Sequence, residues 1–487
     1  MAISNLEEVR KLLLSEIVWG DDSAEKDPNL LEYFVRHTAI TRLQSCSKTL
    51  IVGRKGAGKS AVRTKLVNHF EENDHIVIET SPSYNIINNI LSEKEISSNF
   101  DDEIFFQYIW LRHFLRSALV KIGTTVSGKY VAGSLEFARG LALQSGQAQR
   151  DLLESVVEVL NRVKVKAGKL GDLGLSVETV LKSESEVSTF EYHIKEIVSN
   201  NYKIIYIIDD LDLGWNNSKT ANNLLLGLLT SINYLKSISL NIHAFICIRE
   251  DVYRILLTQT QHSDKYRDIE ILKWTPEDLK TLLDERIRFN FEKNEVDCGE
   301  DPFIKVFPST IGTSNTINWL IERTLNRPRE LLQLSRLYTE RNETDEPSSD
   351  LLKEVELTYS NWKLDDLCTE YRYQYPGLDV IFDFWKTKYF RHKYHLKRSE
   401  IEEMLFNILI EAKCESDWFK DIKNIVDIDS FLKVLYKIGF IGDFILGGQG
   451  GSKVIYSILD IQEPSFNEVQ IHPCFRKAMG TVERIRT

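Results

Sequence analysis

One eight-residue stretch constrains the fold of this 487-residue chain more than any other. It reads Gly-Arg-Lys-Gly-Ala-Gly-Lys-Ser and matches the pattern G-x-x-x-x-G-K-[ST] at every required position. An apolar segment over residues 49–52 precedes it, and a helical pattern over residues 60–70 follows. Strand, glycine-rich turn and helix in this order begin a parallel α/β sheet. The stretch therefore predicts an α/β core with a phosphate-binding loop.

The residue types in this loop suit a nucleoside triphosphate. Glycines let the backbone curl so that its N–H groups point at the phosphates, and the next helix adds partial positive charge at its N-terminus. We expect Lys59 to reach the β- and γ-phosphates and the Ser60 hydroxyl to ligate Mg²⁺. The residues predicted to contact ATP are Gly53, Arg54, Lys55, Gly56, Ala57, Gly58, Lys59, Ser60 and Ala61.

An acidic pair follows a strongly apolar strand, as the second half of such a site requires. The strand is predicted over residues 204–208, and Asp209 and Asp210 come directly after it. We expect Asp209 to hold Mg²⁺ and Asp210 to orient or deprotonate the attacking water. Asp210 is one methylene shorter than the glutamate that is commoner there, which predicts slow hydrolysis. The predicted catalytic set is Lys59, Asp210 and, from a later strand, Arg249.

Arginines at the ends of later elements are candidates for contacts to the γ-phosphate. One ends the apolar strand expected beside the acidic strand, and two flank a proline at the start of a helix. Another precedes a short fifth strand, where a neighbouring subunit could meet it. A surface salt bridge is the alternative for each. In chain order the residues are Arg249, Arg267, Arg327, Pro328 and Arg329.

The pattern of apolar residues predicts five regions along the chain. Helices are expected over residues 6–17 and 29–40, and two apolar helices over 104–122 and 147–163 lie in an insertion between core strands. Near the end, two helices and a glycine-rich β-hairpin suggest a winged helix. The regions are an N-terminal helical segment (1–40), a P-loop core (41–275) with an insertion (about 91–200), a helical lid (276–345), a helical linker (346–395) and a winged-helix domain (396–487).

Composition restricts the class of partner and the compartment. The formal net charge of −11 argues against a large basic surface for nonspecific nucleic-acid binding. No apolar run approaches the roughly 20 residues of a membrane span, and no secretory signal is evident. The six scattered cysteines lack the spacing of a zinc site and indicate free thiols. We expect a cytoplasmic protein that does not use a membrane.

These motifs together resemble known groups of P-loop ATPases. The D-D-L-D segment from Asp209, the I-C-I-R-E-D segment around Arg249 and W-T-P-E-D-L…E-R-I resemble STAND and KAP-type ATPases. The R-P-R-E-L-L helix start and the winged helix are similar to origin-recognition-type AAA+ proteins. A narrower resemblance is to bacterial ATPases with G-R-K-G-x-G-K-S, D-D-L-D and a C-terminal Y-x-I-G-F-I-G, here Tyr436 to Gly442. Leu213 departs from STAND proteins, which usually carry an arginine after D-D-L-D.

The resemblance implies an ASCE-type ATPase core, a helical lid and a winged helix. It also implies nucleotide-dependent oligomerisation and, in bacteria, roles in phage defence. We therefore expect an ATPase that acts as a slow ATP-driven switch, forming a homo-oligomer or controlling an effector protein. One alternative is a DNA-binding AAA+-like initiator or loader, which the net charge disfavours, and another is a nucleotide-binding scaffold that does not hydrolyse ATP. The winged helix could bind DNA or pack against protein.

Overall fold

The chain folds into two compact units in the computed structural model. The core unit comprises Ser23–Lys26 and Arg36–Leu272, and the helical unit comprises Met1–Asp22, Asp27–Val35 and Lys273–Thr487. The structure describes residues 12–21, 23–82, 103–125, 133–145, 185–200, 202–211, 215–260, 267–447, 451–457 and 463–482.

The core unit is built on a parallel five-stranded sheet. Its strands are β1 (Leu50–Gly53), β2 (Ile76–Thr80), β3 (Ile204–Ile208), β4 (Ile242–Arg249) and β5 (Ile269–Ile271). They lie in the order β2-β3-β4-β1-β5, and every neighbouring pair is parallel. All residues of β1 and β3 are buried, as expected for strands covered on both faces. The parallel sheet predicted from the sequence, and with it the α/β class of the core, is confirmed.

Seven described helices accompany these strands in the core unit. They are α1 (Thr38–Gln44), α2 (Lys59–Glu72), α3 (Glu103–Thr125), α4 (Ser134–Gln144), α5 (Ser185–Ser199), α6 (Lys219–Ile238) and α7 (Glu250–Gln259). Helix α2 follows the phosphate-binding loop directly, as predicted. Among the residues that the structure describes, no helix is long and apolar enough to cross a membrane.

Helix α3 is a central core element of this unit. Most of its side chains are buried, aromatic and basic ones included. Trp110 donates from Nε1 to the carbonyl of Leu224 on α6 over 2.9 Å, and a Cβ at Gly227 would lie 2.6 Å from the Cβ of Phe106. The helix predicted over residues 104–122 is thus confirmed, and its apolar surface packs in the core. The helix predicted over residues 147–163 lies outside the described residues.

The prediction of a helix over residues 29–40 is wrong for its first nine residues. Residues 28–33 form turns, and α1 begins only at Thr38. Asp27 gives the physical reason, because its carboxylate accepts hydrogen bonds from the Tyr33 hydroxyl and from the backbone N–H of Asn29. Such side-chain bonds compete with helical ones. Of the helix predicted over residues 6–17, the described part holds a single 3₁₀ turn, Leu14–Glu16.

Helices dominate the helical unit from residue 276 to residue 388. They are α8 (Pro276–Lys293), α9 (Phe303–Val306), α10 (Thr316–Glu322), α11 (Pro328–Glu340), α12 (Ser349–Glu370) and α13 (Leu378–Lys388). A two-stranded ribbon, β6 (Thr310–Ile311) with β7 (Ser314–Asn315), precedes α10. Helix α8 starts where the sequence predicts, because Thr275 and Asp278 form a reciprocal capping box and Pro276 takes the first helical position.

The end of the helical unit combines three helices with a four-stranded antiparallel sheet. The helices are α14 (Arg398–Glu411), α15 (Asp417–Ile425) and α16 (Ile428–Lys437), with a short α17 (Pro473–Arg476) near the end. The sheet order is β10-β9-β11-β8, made by β8 (His395–Lys397), β9 (Ile441–Ile445), β10 (Lys453–Ile455) and β11 (Glu468–Ile471). The sequence predicted α14, α16 and the β9–β10 hairpin but not α15, β8 or β11. The classification as a winged helix stays a prediction.

Candidate nucleotide-binding site

The loop between β1 and α2 has the backbone shape of a phosphate cradle. Gly56 and Gly58 have φ values of 78° and 90°, in the left-handed region that side chains rarely adopt. Gly58 is also the N-cap residue of α2. The first turn of that helix therefore starts directly at Lys59, with backbone N–H groups that no preceding turn satisfies.

The side chain of Lys59 is held inside the loop itself. Its Nζ donates to the carbonyl oxygens of Gly53 and Arg54 over 3.1 Å and 3.3 Å. Both acceptors are neutral, whereas a hydrogen bond between an ammonium and a phosphate oxygen joins two charges and is roughly twice as strong. The loop thus holds the ammonium group beside the phosphate cradle, bonded to two carbonyl oxygens that a phosphate can replace.

Asp209 stands at the end of β3 and is 2% exposed. Burial raises the pKa of its carboxyl, while the backbone N–H of Asp210, the charges of Lys59 and Arg63 and the hydroxyl of Ser60 act in the opposite direction. Its Oδ1 accepts from the Asp210 N–H over 2.9 Å. Its Oδ2 is buried and accepts no hydrogen bond from any described residue. Such an oxygen is costly to bury unless something else binds it.

The surroundings of this oxygen fit a magnesium ion. Carboxylate and hydroxyl oxygens are ligands that Mg²⁺ prefers, and it normally shares them with phosphate oxygens and water. Asp209 and Ser60 supply one of each, and they come from β3 and from the first turn of α2. Both residues were predicted as metal ligands from the sequence. In the structure, the Ser60 side chain is one of the groups that lower the pKa of the buried Asp209 carboxyl.

Asp210 differs from its neighbour in exposure and backbone. It is partly exposed and has a φ of 60°, a left-handed conformation that aspartate tolerates better than most residues. Because of this conformation, the backbone at Asp210 no longer follows the direction of β3. The structure therefore places two adjacent carboxyls in different environments, one buried and one open to solvent.

Arg249 ends β4 and pairs in register with Gly53, the first residue of the phosphate-binding stretch. Strand β4 lies between β1 and β3, as the prediction for Arg249 requires. Its guanidinium is held by Asp251 through two hydrogen bonds of 3.1 Å and 2.6 Å. A contact from Arg249 to a phosphate therefore requires exchange of this partner. Arg267 is exposed and lies directly before β5.

Arg327, Pro328 and Arg329 belong to the helical unit and start α11. Arg327 is 2% exposed and donates to the carboxylate of Glu370 over 2.7 Å. Burial works against its charged form, but Glu370 and Glu330 outweigh burial and raise its pKa. Arg329 is half-buried, with its guanidinium 5.9 Å from the ring centre of Trp362. Of the two arginines, Arg327 is the one committed to a buried ion pair.

Sequence reasoning missed two charged residues at this site. Arg63, one turn after Lys59 on α2, is an electrostatic neighbour of the Asp209 carboxyl. Glu25, in a 3₁₀ turn over Ala24–Lys26, lies 3.5 Å from Arg63. The position of Arg63 four residues after Lys59 could have suggested the same helix face. Nothing in the sequence around Glu25 relates it to a loop that begins 28 residues later.

Comparisons with known proteins match part of the helical unit to a protein family and most of the chain to part of a longer relative. Residues 277–368, in the helical unit, match the family described as the FunZ-associated C-terminal helical domain. The chain is 24% identical over 449 residues to the transposon gamma-delta 80.3 kDa protein of Escherichia coli (strain K12). This alignment covers 87% of the present chain and 61% of that relative. The chain thus spans about three fifths of the length of the relative.

Among solved structures, the chain is similar to the ORC2 protein of Aeropyrum pernix. In its ADPNP-ADP complexes, the alignment covers 90% of each chain at 11% sequence identity, with a TM-score of 0.40. In its ADP form, the alignment covers 91% of this chain and 89% of the other at 11% identity, with a TM-score of 0.34. At these scores the likeness is too distant to assign a function to this chain.

Proposed function

We propose that the core unit binds ATP with Mg²⁺ at the carboxyl ends of β1 and β3, two strands of its parallel sheet. The observation that carries this proposal is the buried Asp209 Oδ2, which accepts no hydrogen bond from the described residues and shares its surroundings with Ser60. An acceptor oxygen in this position, at the base of a glycine-rich loop followed by a helix, suits a cation bound to phosphates. Bound Mg²⁺ would neutralise charge on those phosphates.

Different residues of the chain bind the phosphates, the metal ion and the attacking water. The backbone N–H groups of the loop and of the first turn of α2 bind the phosphates, and Lys59 exchanges its two carbonyl partners for phosphate oxygens. Ser60 and Asp209 hold the metal ion. Asp210, partly exposed and one atom shorter than glutamate, orients the attacking water, so hydrolysis is slow. Arg249 leaves Asp251 to contact the γ-phosphate.

We further propose that this slow turnover serves a switch. Bound ATP changes the state of the helical unit, and that change exposes an interface for a second copy of the chain or for an effector protein. Arg329 is the better candidate of the arginine pair for a contact to the nucleotide, because Arg327 would have to leave Glu370. A role in bacterial phage defence rests only on the resemblance to STAND-type ATPases.

A DNA-binding initiator is the second candidate, and the order of elements at the end of the chain favours it. Three helices, α14 to α16, lead into the β9–β10 hairpin, which is the order of a winged helix. Helix α16 carries Lys433 and Lys437, but Asp427 caps it and Asp429 lies in its first turn. This mixture of charges gives weaker attraction to phosphate backbones than a basic recognition helix does.

The molar mass of the particle separates the two functions. We would measure it by light scattering with ATP and Mg²⁺, with ADP, and with the Lys59→Ala variant, each with and without duplex DNA. The switch predicts a rise in mass with ATP that needs no DNA and is lost in Lys59→Ala. A molar mass that does not change with nucleotide and changes only with DNA would contradict the switch function and support the initiator function.

A further inference from the structure

An acidic side chain from far outside the phosphate-binding loop lies beside Ser60. Glu25 is in the only described segment before residue 36 that belongs to the core unit, Ser23–Lys26. Its turn packs against α2, its carboxylate lies 3.5 Å from Arg63, which is one helical turn after Ser60, and it interacts with the Ser60 side chain. Burial raises the pKa of Glu25, but hydrogen bonds from Ser23, its own backbone and Ser60, with the charge of Arg63, lower it overall.

The Ser60 side chain thus interacts with two carboxylates. Asp209 comes from β3 and Glu25 from the N-terminal turn, and the Ser60 side chain interacts with both. A hydroxyl carries one proton and can donate to only one of them at a time. The Asp209 Oδ2, in a residue that is 2% exposed, accepts no hydrogen bond from the described residues. Two carboxylates that interact with the same hydroxyl supply the kind of oxygen ligands that a hard divalent cation prefers.

Arg63 fixes the position of Glu25. Its guanidinium lies 3.5 Å from the Glu25 carboxylate and 3.8 Å from that of Glu79 on β2, and it donates to the Ser81 hydroxyl over 2.8 Å. The Arg63 side chain is only 12% exposed, so these contacts hold it in one place. Of the two glutamates that form ion pairs with Arg63 in the described structure, only Glu25 also interacts with Ser60.

We infer that Glu25 is a second carboxylate of the magnesium site, binding the ion directly or through a water molecule. This inference rests on the proposed function, because it concerns the ion that accompanies ATP. A carboxylate in that position strengthens the binding of Mg²⁺–ATP. It does not strengthen the binding of ATP alone, because its negative charge repels the phosphates.

The test is the gain in ATP affinity that Mg²⁺ provides, measured by calorimetry as the ratio of Kd in EDTA to Kd in excess Mg²⁺. In Glu25→Gln we expect this ratio to fall about tenfold, the usual effect of losing a supporting group at a metal site. We expect Kd in EDTA to stay the same or improve. Damage to the fold would instead weaken binding in both buffers.

Glu79→Gln is the matched control, since it removes the other carboxylate near Arg63 but none near Ser60. Its ratio should equal that of the unmodified chain. Equal ratios in all three proteins, or a larger ratio in Glu25→Gln, would overturn the inference while leaving ATP binding intact. If the unmodified chain binds no ATP in either buffer, the proposed function fails as well. Should Glu25→Gln not fold, Glu25→Asp, which keeps the charge, should give an intermediate ratio; an unchanged ratio would overturn the inference.

Discussion

Replacing Arg327 by alanine removes a positive charge from a part of the helical unit that water does not reach. The residue is 2% exposed, and its Nη1 donates to a carboxylate oxygen of Glu370 over 2.7 Å. Glu330, itself 2% exposed, lies 3.5 Å from its Nε and also pairs with the fully buried Lys363 over 2.8 Å. In the variant, Lys363 is left to face both glutamates, and Glu370 loses the hydrogen bond from Arg327.

The cost follows from breaking a buried ion pair and leaving an excess of buried negative charge. Removal of one partner of such a pair typically destabilises a protein by about 3–5 kcal/mol, because the remaining charge loses part of its compensation. Arg329→Ala is a close control. This neighbouring arginine is half-buried, and its described contact is with the Trp362 ring at 5.9 Å. Loss of such a cation–π contact costs about 0.5–1 kcal/mol.

Urea denaturation followed by tryptophan fluorescence gives the free energy of unfolding of each variant, and hydrogen exchange in α12 reports the helical unit by itself. We expect Arg327→Ala to lower the stability several-fold more than Arg329→Ala and to speed exchange in α12. A loss below about 1 kcal/mol in Arg327→Ala would refute the reasoning from the buried pair. ATP affinity of the two variants, measured without urea, then tests the proposed contact of Arg329 with the nucleotide.

Three further substitutions test the core unit. Gly227→Ala should lower the free energy of unfolding by about 1–3 kcal/mol, because the new Cβ would lie 2.6 Å from the Cβ of Phe106. Gly140 has open space around it, so Gly140→Ala should stabilise α4 by up to about 1 kcal/mol; thermal unfolding measures both effects. Burial, aided by the charge of Arg116, lowers the pKa of His113 to about 4 from 6.5. The contribution of neutral His113 to the free energy of unfolding is complete above pH 6.5, and about 3 kcal/mol of it is lost as the pH falls to 4. His113→Gln should therefore reduce the pH dependence of stability over this range, measured by urea titration.

The phosphate-binding loop and the sheet could be predicted from the sequence because both depend on local patterns. Strand β3 is five consecutive buried residues, and α2 follows glycines whose positive φ values no other residue adopts easily. The adjacency of β4 to β1 and β3 followed from the usual order of such sheets. Elements fixed by short-range chemistry or by continuous apolar runs are therefore the ones that sequence reasoning recovered.

Interactions between distant segments explain what the sequence could not predict. The turns over residues 28–33 depend on one carboxylate, Asp27, which binds the Tyr33 hydroxyl. Strands β8 and β11 are three and four residues long and exist because they pair with each other across 73 residues. The place of Glu25 beside Ser60 depends on how its turn packs on α2. None of these has a periodic signal.

ATP affinity in the presence of Mg²⁺, compared between the unmodified chain and Lys59→Ala by calorimetry, tests the central claim most directly. The variant loses the ammonium group that now donates to two carbonyl oxygens and that, in the proposed site, binds phosphate oxygens instead; hydrogen bonds to charged groups contribute about 1.5–3 kcal/mol. We predict that the unmodified chain binds ATP and that Lys59→Ala binds it at least about tenfold more weakly. Equal affinity in both proteins, or no binding in either, would contradict a nucleotide site at this loop.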